Sequence, residues 1–421
     1  MSGQTAVREA IIYVPGSDDG VVDQVIGTVA RRFTTAIDHA STTAGSTFTQ
    51  TQHREHCGTD LEVDVVAIER ADPGGTSSTV LDVYFLEYRD LLNGGLEQRG
   101  ILGRTVAVLA MLLRNAWQLA RGLVVTGAKT RRERLQIFVA LLLMVLFASY
   151  LLGTVVALPP LLVRLTSELL AGSETSPFRP VLQWAKEHAQ SLAAANAVVV
   201  VYAAGHTFVP GKVRDDIGRL AGKYYALFGY LTRGQNREAA RTRFAHVIEH
   251  VAEVELYEKV TIVAYSFGGI ITLDSLFPVA APAPKRFDIV SAIVTVGVPF
   301  DFIRTFWPAY FAGRHGESAP RWRWINVFAS GDVFASNFRD DDAVDTATRG
   351  LETKDTSATG TIRPTDNVAY DVAGTSLGIV TSFLFGGFAM HSMYWERDLP
   401  TNAGCFSEVV TRLYSGTPML R

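Results

Sequence analysis

Only two cysteines, Cys57 and Cys405, occur in 421 residues. That excludes a disulfide framework and a cysteine-based zinc cluster, and leaves at most a single bridge between the pair. Charge is also scarce: 19% of residues are charged, against about 25% in an ordinary globular chain. The 39 basic and 42 acidic residues nearly cancel, to a net −3. A basic footprint for nucleic acid is therefore missing, and no nucleic-acid partner is expected. The opening MSGQTAVREAIIYVPG has no basic run followed by an apolar core, so no signal peptide is expected. No internal repeat is found.

Apolar residues are abundant instead. They make up 48% of the chain, and the mean hydropathy is +0.16. The length allows one large domain or two modest ones. The excess apolar surface points to a membrane or lipid contact.

Along the chain, Ala10 to Val14 reads as a buried strand closed by Pro15-Gly16, followed by a helix over Val21 to Ala40. Leu61 to Glu69 and Val80 to Tyr88 read as strands. Two helical stretches, Asp215 to Leu231 and Arg237 to Val254, open a second half. Strand and helix signals then alternate: Val260 to Ala264, Gly269 to Leu276, Ile289 to Val296 and Trp324 to Phe328. That order predicts an α/β fold with a mostly parallel sheet flanked by helices. Asp340 to Asn367 is polar and reads as an exposed excursion. The expected organisation is a first core part over 1–100, an apolar helical insertion over 101–205, and a second core part over 206–421.

The insertion has its own character. Leu135 to Leu158 carries no charge and as a helix would span roughly 36 Å, against a hydrocarbon core of about 30 Å. Lys129, Arg131, Arg132 and Arg134 precede it, which places that flank in the cytoplasm. A buried core helix is the other reading. If both halves share one sheet the chain must return, either by re-entry or through a second span over Ala189 to Gly211. Within that stretch, Ala197 to Ala203 reads equally as one more buried strand. Upstream, over Ile101 to Gly127, the polar residues Arg104, Arg114, Asn115, Gln118 and Arg121 fall within a sector of roughly 120°. That pattern fits a helix lying in a membrane interface or one packed on the core. The expected location is membrane-associated, with the core domain in the cytoplasm.

A serine hydroxyl becomes a useful nucleophile only when a base takes its proton and an acid orients the base. Placed on a sharp strand-to-helix turn, the serine needs small residues two before and two after it. Two serines have Gly or Ala at −2 with Gly at +2: Ser266 in Ala264-Tyr265-Ser266-Phe267-Gly268, and Ser376 in Gly374-Thr375-Ser376-Leu377-Gly378. Ser376 is set aside. TDNVAYDVA before it makes a poor buried strand, and no acid lies between it and His391, the last histidine.

Ser266 follows the apolar run VTIVA and precedes the apolar GIITL, which supplies strand, turn and helix. The acid should follow a later strand: Asp332, just past Trp324 to Phe328, leads, with Asp301 as the second candidate. Asp340, Asp341 and Asp342 read as solvated charges. His391 is the single histidine after Asp332 and is the expected base. Backbone donors for an oxyanion are expected from Phe267, after the nucleophile, and from Gly16 or Ser17, after the first strand.

The segments VTIVAYSFGGIITLDSL, WRWINVFASGDVF and MHSMYWERD together resemble the α/β-hydrolase superfamily, especially bacterial lipase- or esterase-like members. In those proteins the elbow reads like A-H-S-x-G, the acid follows a W-x-N strand, and the base lies in an H-x-x-Y-W segment. The likeness covers the second half, and the first half only through IIYVPGS. It implies an α/β-hydrolase-type core and the triad Ser266, Asp332 and His391. Tyr265 and Phe267 stand where a histidine and a polar residue are usual, which leaves substrate preference open. The apolar insertion also lies outside the common pattern.

The uncharged TSLGIVTSFLFGGFAM, Thr375 to Met390, leads into His391. It reads as a buried wall or as a greasy lip in which Phe385 and Phe388, with Tyr265, contact substrate. The expected function is therefore membrane-associated hydrolysis of a carboxylic ester, a lipid or long-acyl ester, without cofactor or metal. The alternatives are a non-catalytic scaffold or binding protein of the same fold, and a thioesterase, peptidase or acyltransferase using the same triad. His246, His250 and Glu253 share a helix at a spacing that could hold zinc, but a solvated helix face is the commoner outcome. His53 to Cys57 reads as surface.

Overall fold

The computed structural model describes residues 8–17, 22–41, 47–58, 61–71, 77–92, 110–111, 137–138, 227–232, 234–253, 257–315, 322–339, 346–353, 361–370, 391, 393–395 and 404–414. The chain divides into two compact units. Met1–Leu92, Arg121–Ile137 and Gly229–Arg421 form one; Asn93–Ala120 and Phe138–Phe228 form the other. The sheet and the site described below belong to the first.

The strands are β1 (Arg8–Val14), β2 (Thr47–His56), β3 (Glu62–Ala71), β4 (Ser77–Phe85), β5 (Tyr257–Tyr265), β6 (Val290–Val296), β7 (Arg323–Phe328), β8 (Leu351–Glu352), β9 (Thr361–Ile362) and β10 (Asp366–Ala369). Eight of them form one sheet in the order β10-β7-β6-β5-β1-β4-β3-β2. Pairings from β10 through to β4 are parallel, and β4-β3 and β3-β2 are antiparallel. This is a mostly parallel α/β architecture.

A parallel sheet is covered on both faces, so its strands are apolar throughout rather than alternating. Ala10 to Val14, Val260 to Tyr265 and Trp324 to Phe328 are all buried. Alternate side chains go to opposite layers. Ile11, Tyr13, Val263, Tyr265, Val294, Val296, Ile325 and Val327 join the core under α1 (Val22–Ala40) and α5 (Phe406–Tyr414).

Helix α1 buries Ile26, Val29, Ala30, Phe33, Ala36 and Ile37, the three-and-four spacing of a single stripe. Its Phe33 ring lies 3.9 Å from that of Phe406 on α5. The other face carries α2 (Gly234–Glu253), which buries Ala240, Phe244, Val247, Ile248 and Val251 and packs on α3 (Phe267–Leu276). All ten residues of α3 are buried. A short α4 (Phe300–Phe306) follows β6.

Several expectations are corrected. Thr47–His56 is a strand although its sequence, TFTQTQHREH, is polar. It is the last strand of the sheet, where neither face needs to be apolar. Its end is not simple surface either: Cys57 is buried. The excursion from Asp340 to Asn367 is not wholly exposed. Leu351 and Ile362 are buried and pair β8 with β9. TDNVAYDVA does contain a strand, β10, parallel to β7. Its Asn367 is buried yet satisfied, accepting from Asn326 Nδ2 at 2.9 Å and donating to the Asn337 carbonyl at 2.6 Å. Cys57 and Cys405 are both buried free thiols, not a bridge.

Among the described residues, no helix is long and apolar enough to cross a membrane. The stretches Ile101 to Gly127, Leu135 to Leu158 and Ala189 to Gly211 lie outside the described residues, apart from 110–111 and 137–138.

Candidate active site

The β5–α3 junction carries Ser266 with φ 50° and ψ −123°. A non-glycine residue at positive φ holds strain of order 1–3 kcal/mol. Here the surrounding backbone imposes it. The Ser266 amide donates to the Val296 carbonyl at 2.8 Å, and the Gly297 amide donates to the Val327 carbonyl at 2.9 Å, stitching the ends of β5, β6 and β7 together. Two residues on, Gly268 lies so close to the end of β1 that a Cβ there would sit 2.4 Å from the carbonyl oxygens of both Val14 and Pro15. That contact is the local reason for the small residue at +2. It also brings the loop after β1 against the elbow, where a Cβ on Gly16 would meet Tyr265 Cδ1 at 2.9 Å and Ser266 Cβ at 3.1 Å.

The structure brings Ser266, His391 and Asp332 together. Ser266 Oγ lies 2.6 Å from His391 Nε2, and His391 Nδ1 lies 2.8 Å from Asp332 Oδ2. Side-chain exposure is 14% for His391 and 0% for Asp332. Burial would push the Asp332 carboxyl up. The facing His391, its hydrogen bond, the Phe334 amide and the Tyr394 hydroxyl outweigh burial and hold the carboxyl below its usual value. The Phe334 amide donates to Oδ1 at 2.9 Å, and the Tyr394 hydroxyl donates to Oδ2 at 2.8 Å. The Phe334 ring also stands edge-on to the His391 ring, 5.3 Å away.

Asp301, the second acid candidate, is on α4, with its amide donating to Ser336 Oγ at 2.6 Å. Asp332 is the acid that meets His391.

The residues expected to supply backbone donors lie around the elbow. Phe267 is the first residue of α3, and the first amides of a helix have no acceptor inside it. Gly16 and Ser17 follow β1 on the neighbouring loop, with Gly16 buried and Ser17 half-buried. The Phe267 ring is buried against Tyr230, 5.0 Å between centroids. Tyr265 is buried beneath the histidine: its ring stacks on His391 at 5.5 Å and 26°, and its hydroxyl donates to the His391 carbonyl. Phe385, Phe388 and Ser376 lie outside the described residues.

Of the three residues at a zinc-compatible spacing, His250 makes a hydrogen bond. His250 Nε2 lies 2.8 Å from Glu55 Oε2. Glu55 is also met by His53 at 2.9 Å and by the Tyr84 hydroxyl at 3.1 Å. Among the described residues no group of three or more metal-binding side chains forms. Burial would raise the Glu55 carboxyl, but the bonds from His250, His53 and Tyr84 leave it below its usual value. Nearby, burial pushes the Cys57 thiol up to about 12.

Sequence reasoning missed Tyr394 and Phe334 as partners of the acid. The one available signal was spacing: Tyr394 lies three residues after His391 and Phe334 two after Asp332. The arrangement as a whole can move a proton from a hydroxyl to an imidazole backed by a carboxylate. Comparison with family profiles, with curated proteins and with solved structures finds no match to this chain.

Proposed function

We propose that this chain is a serine hydrolase of the α/β-hydrolase type that cleaves carboxylic esters through an acyl-serine intermediate. The observation that carries the reading is the continuous relay from Ser266 Oγ through His391 to Asp332, at 2.6 and 2.8 Å. The chain order serine, acid, histidine and the position of the serine at the C-terminal end of a central parallel strand support it further.

In this mechanism Ser266 Oγ attacks the ester carbonyl carbon while His391 Nε2 takes the hydroxyl proton. Asp332, ionised by its setting, stabilises the imidazolium. The carbonyl electron pair moves to oxygen, where the amides of Phe267 and of the Gly16–Ser17 loop receive it. Collapse of the tetrahedral species breaks the carbon–oxygen bond to the alcohol, which leaves with the proton from His391. Water then repeats the cycle on the acyl-serine and releases the acid.

The long uncharged stretches Leu135 to Leu158 and Thr375 to Met390 support a membrane-attached enzyme acting on a lipid or long-acyl ester. Thioesterase and acyltransferase chemistry would use the same residues.

The test is labelling of the full chain in detergent with a fluorophosphonate probe. Wild type should label and Ser266→Ala should not, while Ser376→Ala labels like wild type. Equal labelling of Ser266→Ala overturns the nucleophile, and a folded wild type that does not label overturns the hydrolase reading. Within a panel of labelled-active protein on esters, preference for short water-soluble substrates overturns the long-acyl assignment.

A further inference from the structure

Asp332 Oδ2 receives two donors, not one. His391 Nδ1 stands 2.8 Å from it, and the Tyr394 hydroxyl also donates to it at 2.8 Å. The tyrosine is held in that place from several sides. Its hydroxyl oxygen accepts the Ala329 amide at 2.8 Å, and its own carbonyl accepts the Cys405 amide at 2.8 Å. Its ring fills a space that exists because residue 297 is glycine: a Cβ there would meet Tyr394 Cε2 at 2.8 Å, and the backbone has φ 60°. The ring is fully buried, with Tyr265 and Tyr370 both 6.3 Å away.

We infer that Tyr394 is a positioning residue that tempers the acid of the triad: it occupies part of Oδ2 and weakens the pull of Asp332 on His391. The carboxylate does not need Tyr394 to stay in place. Its Oδ1 is held by the Phe334 amide, and the Asp332 amide bonds the Ala329 carbonyl at 3.2 Å. What Tyr394 changes is how much negative charge Oδ2 offers to the imidazole, because each hydrogen bond to an ionised oxygen disperses that charge. His391 and Tyr394 face Asp332, and Ser266, Tyr265 and Asp332 face His391. This inference rests on the proposed triad for its chemical meaning, but not for its physical content.

The test compares full-length wild type with Tyr394→Phe by two readouts. The first is the low-field proton resonance of His391 Nδ1–H, assigned by its loss in Asp332→Asn. With the Tyr394 hydroxyl removed from Oδ2, the bond to His391 strengthens and the resonance moves further downfield. The second is the pH dependence of fluorophosphonate labelling. Its midpoint should rise by about half a pH unit, with the plateau rate within about threefold of wild type.

An unchanged or upfield resonance, or a lowered plateau with no change of midpoint, overturns the inference and leaves Tyr394 as packing alone. Should Tyr394→Phe not fold, difluorotyrosine placed at position 394 keeps the ring and makes the hydroxyl a stronger donor. The resonance should then move upfield, and no movement overturns the inference. A protein that shows the downfield response but never labels retains the tempering role and loses the hydrolase reading.

Discussion

Asp274 and Arg314 form an ion pair inside the protein, Nη2 to Oδ1 at 2.6 Å, with side chains only 2% and 3% exposed. Asp274 lies two turns after Ser266, on α3. Tyr230 at 3.0 Å and Tyr310 donate to its other oxygen. Arg314 also donates to the Phe277 carbonyl at 2.9 Å, just past the end of the helix. The pair therefore ties the helix that begins just after Ser266 to the segment after α4. Removing Arg314 leaves Asp274 buried with its two tyrosine donors and only the more distant Arg237 charge to offset it. Arg314→Met should destabilise the fold by about 3–5 kcal/mol, read as a lowered denaturant midpoint. Asp274→Asn combined with Arg314→Met should recover part of that loss. A single variant as stable as wild type would show that the pair contributes nothing.

Gly268 makes a sharper prediction. An alanine methyl there would fall 2.4 Å from two carbonyl oxygens of β1 and its loop, and backbone cannot yield as a side-chain tip can. Gly268→Ala should cost on the order of 1–3 kcal/mol and move the loop that carries Gly16. Labelling at Ser266 should fall at least tenfold while circular dichroism stays native. Unimpaired labelling would place the tight contact elsewhere.

The depressed carboxyl of Asp332 has a consequence for stability with a definite sign. A group whose folded value lies below its unfolded value, about 3.9 for aspartate, adds stability above that value and loses it as pH falls through the folded one. Wild type should therefore lose stability on acidification below about pH 4, as Asp332 takes up a proton. Asp332→Asn should lack that part of the acid dependence. The same variant should label about 10⁴-fold more slowly at neutral pH. Thermal melts from pH 2 to pH 7 check the first statement, and labelling rates check the second.

Much of the sheet is legible in the sequence for a simple reason. Strands covered on both faces are continuous apolar runs, and IIYV, VTIVA and WINVF announce themselves. The elbow is legible because its steric demands act on residues within two positions of the serine. The parts that escape are held by polar partners far along the chain. β2 reads as a polar loop, yet its Glu55 meets His250 from 195 residues away. β10 reads as too polar for a strand because nothing local announces that Asn326 will satisfy Asn367, 41 residues later. Tyr394 lay in plain view beside the histidine, but its hydroxyl reaches back 62 residues to the acid. Periodicity reports burial; it does not report who satisfies a buried polar group.

The parallel seam between β1 and β5 joins Ile11 to Thr261, so the two central strands leave the ribosome about 250 residues apart. At roughly 5–20 residues per second, β1 waits on the order of ten to fifty seconds for the neighbour that closes its edge. During that interval the run Ala10 to Val14, all apolar, offers unpaired amides and carbonyls beside a greasy surface, the combination that recruits foreign strands. Biosynthesis of this chain is thus a problem of delayed closure. A truncated product ending before Tyr257 should depend on holdase chaperones to stay dispersed, whereas the complete chain conceals that liability in its interior.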